Sequence, residues 1–321
     1  MEFFCGPLHV SVRAGDAALR DKVAEALSLY NFRWTPPYRS LDLDVARTTV
    51  PAARVAGRFL QCARMSVDAV DSGLTASSMS GAGAVGRLGD AGDEWSISVP
   101  AGDLTVGSLG DIEDLVGLAL TTGWRRGGWV PVHAGAVVRG KRCVLLCAAS
   151  GGGKTTLTLA LVRRGWQAIG DDKLLLTCSG QGPQIGALVH TCNLHPQTRD
   201  WFPEVGDLER LPVYSAWTDK RRVPIETVWP GGTSGGGLPT HVVQLSRGDV
   251  EGKIRVEPLA HAEILPTLLR QTVLPGDPAV TRQMLRTLAA ATQGLQGLQI
   301  EVGLNAYRDD ACLDILEAAL E

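Results

Sequence analysis

Apolar and polar residues alternate with two different periods along this chain, and the change of period marks its elements. Near the start, Leu8–Val10 and Ser11–Val12 read as short β runs, and Ala17–Leu29 spaces its apolar residues like a helix. "EWSISVP" (94–100) alternates as a strand does, and Asp111–Thr122 returns to helical spacing. Further on, "WVPVHAGAVV", a basic turn at Arg139-Gly140-Lys141-Arg142 and "CVLLCA" predict two strands in a hairpin. A helix follows Lys154 and ends at Gly165, a left-handed cap after Arg163 and Arg164. "WQAIG", "KLLLTC", "HVVQLS" and "LQIEVGL" are strand candidates, while 261–271, 279–291 and 311–321 carry helical patterns. Two segments of small residues, Ser72–Asp93 and Pro230–Thr240, have little to bury; the first predicts a mobile loop or strand connection, the second a lid or disordered loop. No internal repeat is visible.

The pattern therefore predicts an α/β protein with an antiparallel admixture, in two parts: an α+β region over 1–125 without a chemical motif, and a second part over 126–321. The chain has 321 residues, of which 45% are hydrophobic and 20% charged, enough for a sizeable core and too apolar for a disordered chain. A net charge of -3 gives no basic field for nucleic acid or an anionic membrane. No run of 18 apolar residues occurs and "MEFFCGPLHV" is not a signal peptide, so neither membrane nor export is expected. The seven cysteines include no CxxC pair, which argues for a reducing, cytoplasmic setting and against structural zinc.

Candidate chemistry concentrates between Ala148 and Asp172. A polyphosphate-binding loop needs a buried strand to aim the chain, glycines whose amides converge on oxygens, and a helix starting there. Val144–Cys147, Gly151-Gly152-Gly153 and the helix from Thr155 supply all three. Ala149, Ser150, Gly151, Gly152, Gly153, Lys154, Thr155 and Thr156 are thus the nucleotide-binding candidates. Lys154 would reach the β- and γ-phosphates, the Thr155 hydroxyl would hold Mg²⁺, and Thr156 would touch an α-phosphate. A plain glycine turn is the structural alternative. Asp171-Asp172 follows "WQAI", 17 residues after Lys154, where a return strand brings the pair beside the loop. Phosphoryl transfer needs a carboxylate for the acceptor proton and a metal to neutralise charge, and the two acids could divide that work; an Asp-Asp turn is the bland alternative. His133, in "PVHAGAV", is either a structural hydrogen-bonder or a member of the same pocket.

The stretch "VHAGAVVRGKRCVLLCAASGGGKTTLTLALVRRGWQAIGDD" resembles the HPr kinase/phosphorylase superfamily and its shorter relatives. That family shows a His-containing strand, a hairpin, a G-x-S-G-x-G-K-[ST] loop, a helix and an "xDD". Ser150-Gly151, Gly153-Lys154-Thr155, Asp171-Asp172 and His133 fall on its positions, over about 50 residues from Pro131 to Thr177. The loop is also similar to that of ATP-dependent phosphoenolpyruvate carboxykinase. The resemblance implies a P-loop kinase core with a mixed central sheet, using ATP and Mg²⁺ to phosphorylate a Ser or Thr hydroxyl of a peptide or protein. By its likeness to short kinases of peptide natural-product pathways, it points to a precursor peptide. It implies Asp171, Asp172, Lys154 and His133 as the catalytic set, either aspartate being the base, and Thr155 and Asp172 as metal ligands. A nucleotide-binding scaffold without transfer and a small-molecule kinase are the alternatives, and homo-oligomer formation is left open. Ala148 stands where the family has its first glycine, the second glycine-rich signature of the bifunctional enzymes is missing, and 1–125 do not match their N-terminal domain.

Outside that stretch, Lys220, Arg221 and Arg222 could bind an anionic substrate. "NLHPQTRDWFP", with His195 and Arg199, reads as a candidate substrate-side loop. Trp201, Trp217 and Trp229 are either groove residues or packing.

Overall fold

The computed structural model describes residues 1–30, 32–34, 39–49, 65–70, 73–78, 82–89, 93–180, 182–214, 218–248 and 252–320. The chain divides into two units, one of Met1–Trp129 with Val273–Leu285, the other of Val130–Thr272 with Arg286–Glu321. The segment Val273–Leu285, placed with the second part by sequence order, thus belongs with the first.

The first unit contains β1 (Glu2–Gly6), β2 (Leu8–Ala14), α1 (Ala17–Ser28), β3 (Phe32–Arg33), β4 (Arg39–Thr48), β5 (Met65–Val70), β6 (Gly73–Ser78), β7 (Val85–Leu88), β8 (Glu94–Pro100) and α2 (Val106–Arg126). Its strands form one mixed sheet in the order β3-β1-β2-β4-β8-β7-β6-β5. The alternation works as the period predicts: Leu8, Val10 and Val12, then Leu41, Leu43 and Val45, then Trp95, Ile97 and Val99 are buried while their neighbours face outward. α2 begins earlier than its apolar spacing suggests because Thr105 and Ser108 close a capping box.

Ser72–Asp93 is not merely a loop, since it supplies β6 and β7. Its small residues are demanded by close approach: a Cβ on Gly86 would stand 2.9 Å from Leu115 of α2 and 3.0 Å from Trp95. Ala76 and Ala84 are fully buried. Residues 72, 79–81 and 90–92 of that segment lie outside the described residues.

The second unit runs β9 (Val130–Val132), β10 (Gly135–Arg139), β11 (Arg142–Cys147), α3 (Lys154–Arg163), β12 (Gln167–Gly170), β13 (Leu174–Ser179), β14 (Gly182–Ala187), β15 (Thr191–Leu194), β16 (Arg221–Pro224), α4 (Ile225–Val228), β17 (Gly236–Gly237), β18 (His241–Arg247), β19 (Ile254–Pro258) and α5 (His261–Leu269). After α6 (Pro278–Ala291), which the division of units crosses, come β20 (Gln296–Val302) and α7 (Asp310–Ala319). A mixed sheet, β12-β10-β11-β18-β20-β19, packs its Val144, Leu146, Val243 and Ile300 with Leu157 and Leu161 of α3 and Leu313 and Leu316 of α7. A smaller antiparallel sheet has the order β17-β14-β13-β9.

Two expectations change here. The hairpin is β10–β11 alone, turning at Gly140 with φ of 60°, while β9 leaves it to pair with β13. The break falls at His133, whose N–H donates to the Gln271 carbonyl (2.7 Å) instead of a ladder partner. The glycine-rich 230–240 segment is tied down rather than a lid or disordered loop. The Glu226 carboxylate accepts from Gly231 N (2.7 Å) and Thr233 Oγ1 (2.6 Å), and β17 pairs with β14. A Cβ on Gly237 would meet Cys143 Sγ at 2.9 Å, so the glycine serves close packing.

Candidate active site

β11 is buried along Cys143–Cys147 and runs parallel to β18, so both strands deliver their C-terminal ends to the same place. The chain then turns through Gly151 (φ 75°) and Gly153 (φ 96°), values that only glycine adopts without strain, and α3 starts at Lys154. Gly152 is needed for room, because a Cβ there would stand 2.8 Å from that of Ala148. Ala148 does not require a positive φ, so the missing first glycine costs the backbone nothing at this position. The loop thus leads into a helix N-terminus, an arrangement that favours anions.

Sheet register explains the aspartates. Gly170 at the end of β12 pairs with Ala136 of β10, and Leu174 at the start of β13 pairs with Val132 of β9. The turn carrying Asp171 and Asp172 therefore lies alongside the β9–β10 junction that carries His133. His133 Nε2 is 2.8 Å from Asp172 Oδ1, and the Tyr214 hydroxyl donates to Asp172 Oδ2 at 3.4 Å. Asp171 takes different partners: its Oδ2 accepts from Thr155 Oγ1 (2.8 Å) and Asn193 N (3.3 Å). Its other oxygen is buried without a hydrogen-bond partner among the described residues.

These environments separate two adjacent carboxyls. Burial, then the charge of Asp172, pushes Asp171 up to about 6. Burial pushes Asp172 up as well, but the bond to His133 and the charges of His133, Lys173 and Lys154 outweigh it and hold the group at about 2. Lys154 is 8% exposed; its Nζ donates to the Ala148 carbonyl at 2.9 Å, and burial lowers its pKa against the pull of both aspartates. Gln271 braces the same corner. With its amide turned to satisfy both ends, its nitrogen donates to the carbonyls of His133 (2.8 Å) and Ala148 (3.1 Å).

A cavity of about 530 Å³ opens over residues 149–156 and both aspartates, with His133, Tyr214, Lys220 and Arg247 on its walls. The structure thus brings together His133, the loop, Asp171, Asp172 and Lys220. Arg221 and Arg222 are not brought in. Arg221 donates to the Leu211 carbonyl (3.3 Å); Arg222 donates to the Tyr214 carbonyl (2.7 Å), with its guanidinium 5.7 Å from that ring's centroid. His195 and Trp201 line the cavity, whereas Arg199 pairs with Asp200 and Trp229 packs edge-on against Phe202. Trp217 lies outside the described residues.

Thr155 and Asp172 were the expected metal ligands, yet the side chain that the structure joins to Thr155 is Asp171. A threonine hydroxyl and a carboxylate with an unpartnered oxygen are hard donors of the kind Mg²⁺ takes, completed by water and substrate oxygens. Among the described residues, no group of three His, Cys, Asp or Glu side chains offers an all-protein cage.

Tyr214, Arg247, Gln271 and Tyr307 were missed, and Asn193 lies in the candidate substrate-side loop without having been singled out. Arg247 had a signal, since ligands sit beyond the carboxyl ends of parallel strands and it ends one; the others are placed by contacts that no spacing announces.

No protein-family model matches the chain, and no curated protein matches it significantly. Among solved structures, the chain is similar to the Hpr(Ser) kinase/phosphatase from Coxiella burnetii, at 13% identity and a TM-score of 0.32, covering 59% of this chain and 87% of that one. Likeness that distant leaves the site's own geometry to carry its chemistry. Among the described residues, no helix is long and apolar enough to cross a membrane.

Proposed function

We propose that this chain is an ATP- and Mg²⁺-dependent phosphotransferase that moves the γ-phosphoryl group to a Ser or Thr hydroxyl of a peptide or protein. The observation that carries this reading is the sorting of the two acids: Asp171 bonded to Thr155 of the loop, Asp172 bonded to His133 across the same cavity. Loop amides and Lys154 hold the β- and γ-phosphates, exchanging the Ala148 carbonyl for phosphate oxygen as the partner of Nζ. Thr155 and Asp171 hold Mg²⁺, which when bound neutralises charge on the phosphate oxygens. Asp172, whose side chain is 27% exposed, stays ionised and accepts the hydrogen bond of the acceptor hydroxyl. As the acceptor oxygen bonds to phosphorus, the bond to the β–γ bridging oxygen breaks, ADP leaves, and the hydroxyl proton passes to the Asp172–His133 pair. Lys220 and Arg247, which have no ion-pair partner among the described residues, add positive charge to the walls.

Lys154→Ala is expected to abolish transfer while far-UV circular dichroism stays unchanged, and undiminished turnover in that variant removes the proposal. A second reading, a nucleotide-binding scaffold without transfer, draws on the bond that already occupies Lys154 Nζ. Mass spectrometry of candidate peptides incubated with ATP and Mg²⁺ separates the two: phosphorylated peptide supports the kinase, bound nucleotide with every peptide unmodified supports the scaffold.

A further inference from the structure

One part of the cavity wall has no task in the transfer chemistry. Tyr307, in the short turn Ala306–Arg308, is 6% exposed and stacks on Trp201 with ring centroids 5.8 Å apart and planes inclined by 25°. Both rings line the cavity, as do Val302 and the exposed Leu304. The Tyr307 hydroxyl lies against the loop, for a Cβ on Gly153 would stand 2.0 Å from it. That hydroxyl is buried with no hydrogen-bond partner among the described residues. A desolvated phenol without a partner is costly, and each such group in a folded protein calls for an explanation, of which a bound group is one.

A nucleoside triphosphate has two unlike ends, a highly charged tail and a flat ring with apolar faces. The cavity has two matching regions, which meet at Gly153: the glycine amides with Lys154, and the aromatic wall. We infer that the Trp201–Tyr307 wall is a nucleoside subsite, where the donor's base stacks on the aromatic wall at Trp201 and the Tyr307 hydroxyl donates to a ribose or phosphate oxygen beside Gly153. The inference rests on the loop being a polyphosphate site, as proposed above. It adds what that proposal lacks, a reason for the protein to prefer a nucleotide over a bare polyphosphate. A base presents its π-face to an aromatic side chain whatever its edge, so stacking supplies affinity without reading base identity.

The test is calorimetric titration of the full chain with ATP and, separately, with inorganic tripolyphosphate, each with Mg²⁺. Wild type is expected to bind ATP more tightly. Trp201→Leu should weaken ATP roughly tenfold or more, the loss of one stacked base, while tripolyphosphate affinity holds. Trp201→Phe should restore most of the ATP affinity, which guards against a fault in folding. Equal losses for both ligands would mean that Trp201 merely supports the loop, and equal wild-type affinities would mean there is no nucleoside subsite; either overturns the inference while leaving the loop reading intact. If wild type binds neither ligand, the loop reading itself has failed and the subsite falls with it.

Discussion

Asp171 and Asp172 are neighbours in the chain, yet their surroundings push their acidities in opposite directions, to about 6 and about 2. Asp171, raised by burial, contributes stability that is complete below its unfolded value of 3.8 and is lost as pH rises through about 6. Above that, the folded protein without nucleotide or metal carries a buried charge it would hold more cheaply as a neutral amide. Asp171→Asn should therefore stabilise the ligand-free protein by up to about 3 kcal/mol at pH 8, with the gain vanishing near pH 4. Urea denaturation at both pH values checks this, and an Asn variant no more stable than wild type at pH 8 contradicts it. Asp172, held low, contributes stability that is present above 3.8 and lost only as pH falls through about 2. His133→Ala should then lower turnover more than it raises KM, since it strips the partner that orients Asp172. Steady-state kinetics with a phosphorylatable peptide decides this, and a change confined to KM would argue for a substrate-binding role.

The glycine loop and the helix behind it form one local device, and its weak point is Gly153. Any side chain there must adopt φ near 96° and also displace the Tyr307 hydroxyl. Gly153→Ala is expected to lower stability by about 1–3 kcal/mol and to abolish nucleotide binding. Adding Tyr307→Phe removes the clashing oxygen, leaves the backbone cost, and should recover part of the loss in a double-mutant cycle. Strict additivity of the two substitutions would falsify the contact. The loop, α3 and the strands on either side were legible because each is written in fewer than about twenty consecutive residues. The partition of β9 from β10 was not, because "WVPVHAGAVV" is uniformly strand-like and only pairing with β13 pulls its first half away. Small residues misled twice: at Gly86 they signify close contact rather than a mobile loop, and at Gly237 close contact rather than a lid or disorder.

At the scale of the whole molecule, the units do not follow chain order. Val273–Leu285 belongs to the first unit, where the buried Arg125 donates to the Val273 carbonyl at 2.5 Å. A fragment of residues 130–321 would carry that segment without the residues it packs with. Such a fragment should melt lower than the full chain and aggregate on size-exclusion chromatography. A monomeric fragment melting at the full-chain temperature would refute the assignment of that segment.

What the amino-acid order determined alone was local: an apolar strand, a run of glycines, Lys154-Thr155, an amphipathic helix and a return strand ending in two acids. Backbone preference and hydrophobic period act over a few residues, so these elements can be read without knowing what lies beside them. Which aspartate meets Thr155 and which meets His133, and the arrival of Tyr214, Gln271, Trp201 and Tyr307 at one cavity, were decided only by tertiary structure. Those contacts join residues far apart in the chain, and their partners are chosen by sheet order and register, properties of the assembled fold that no single segment encodes.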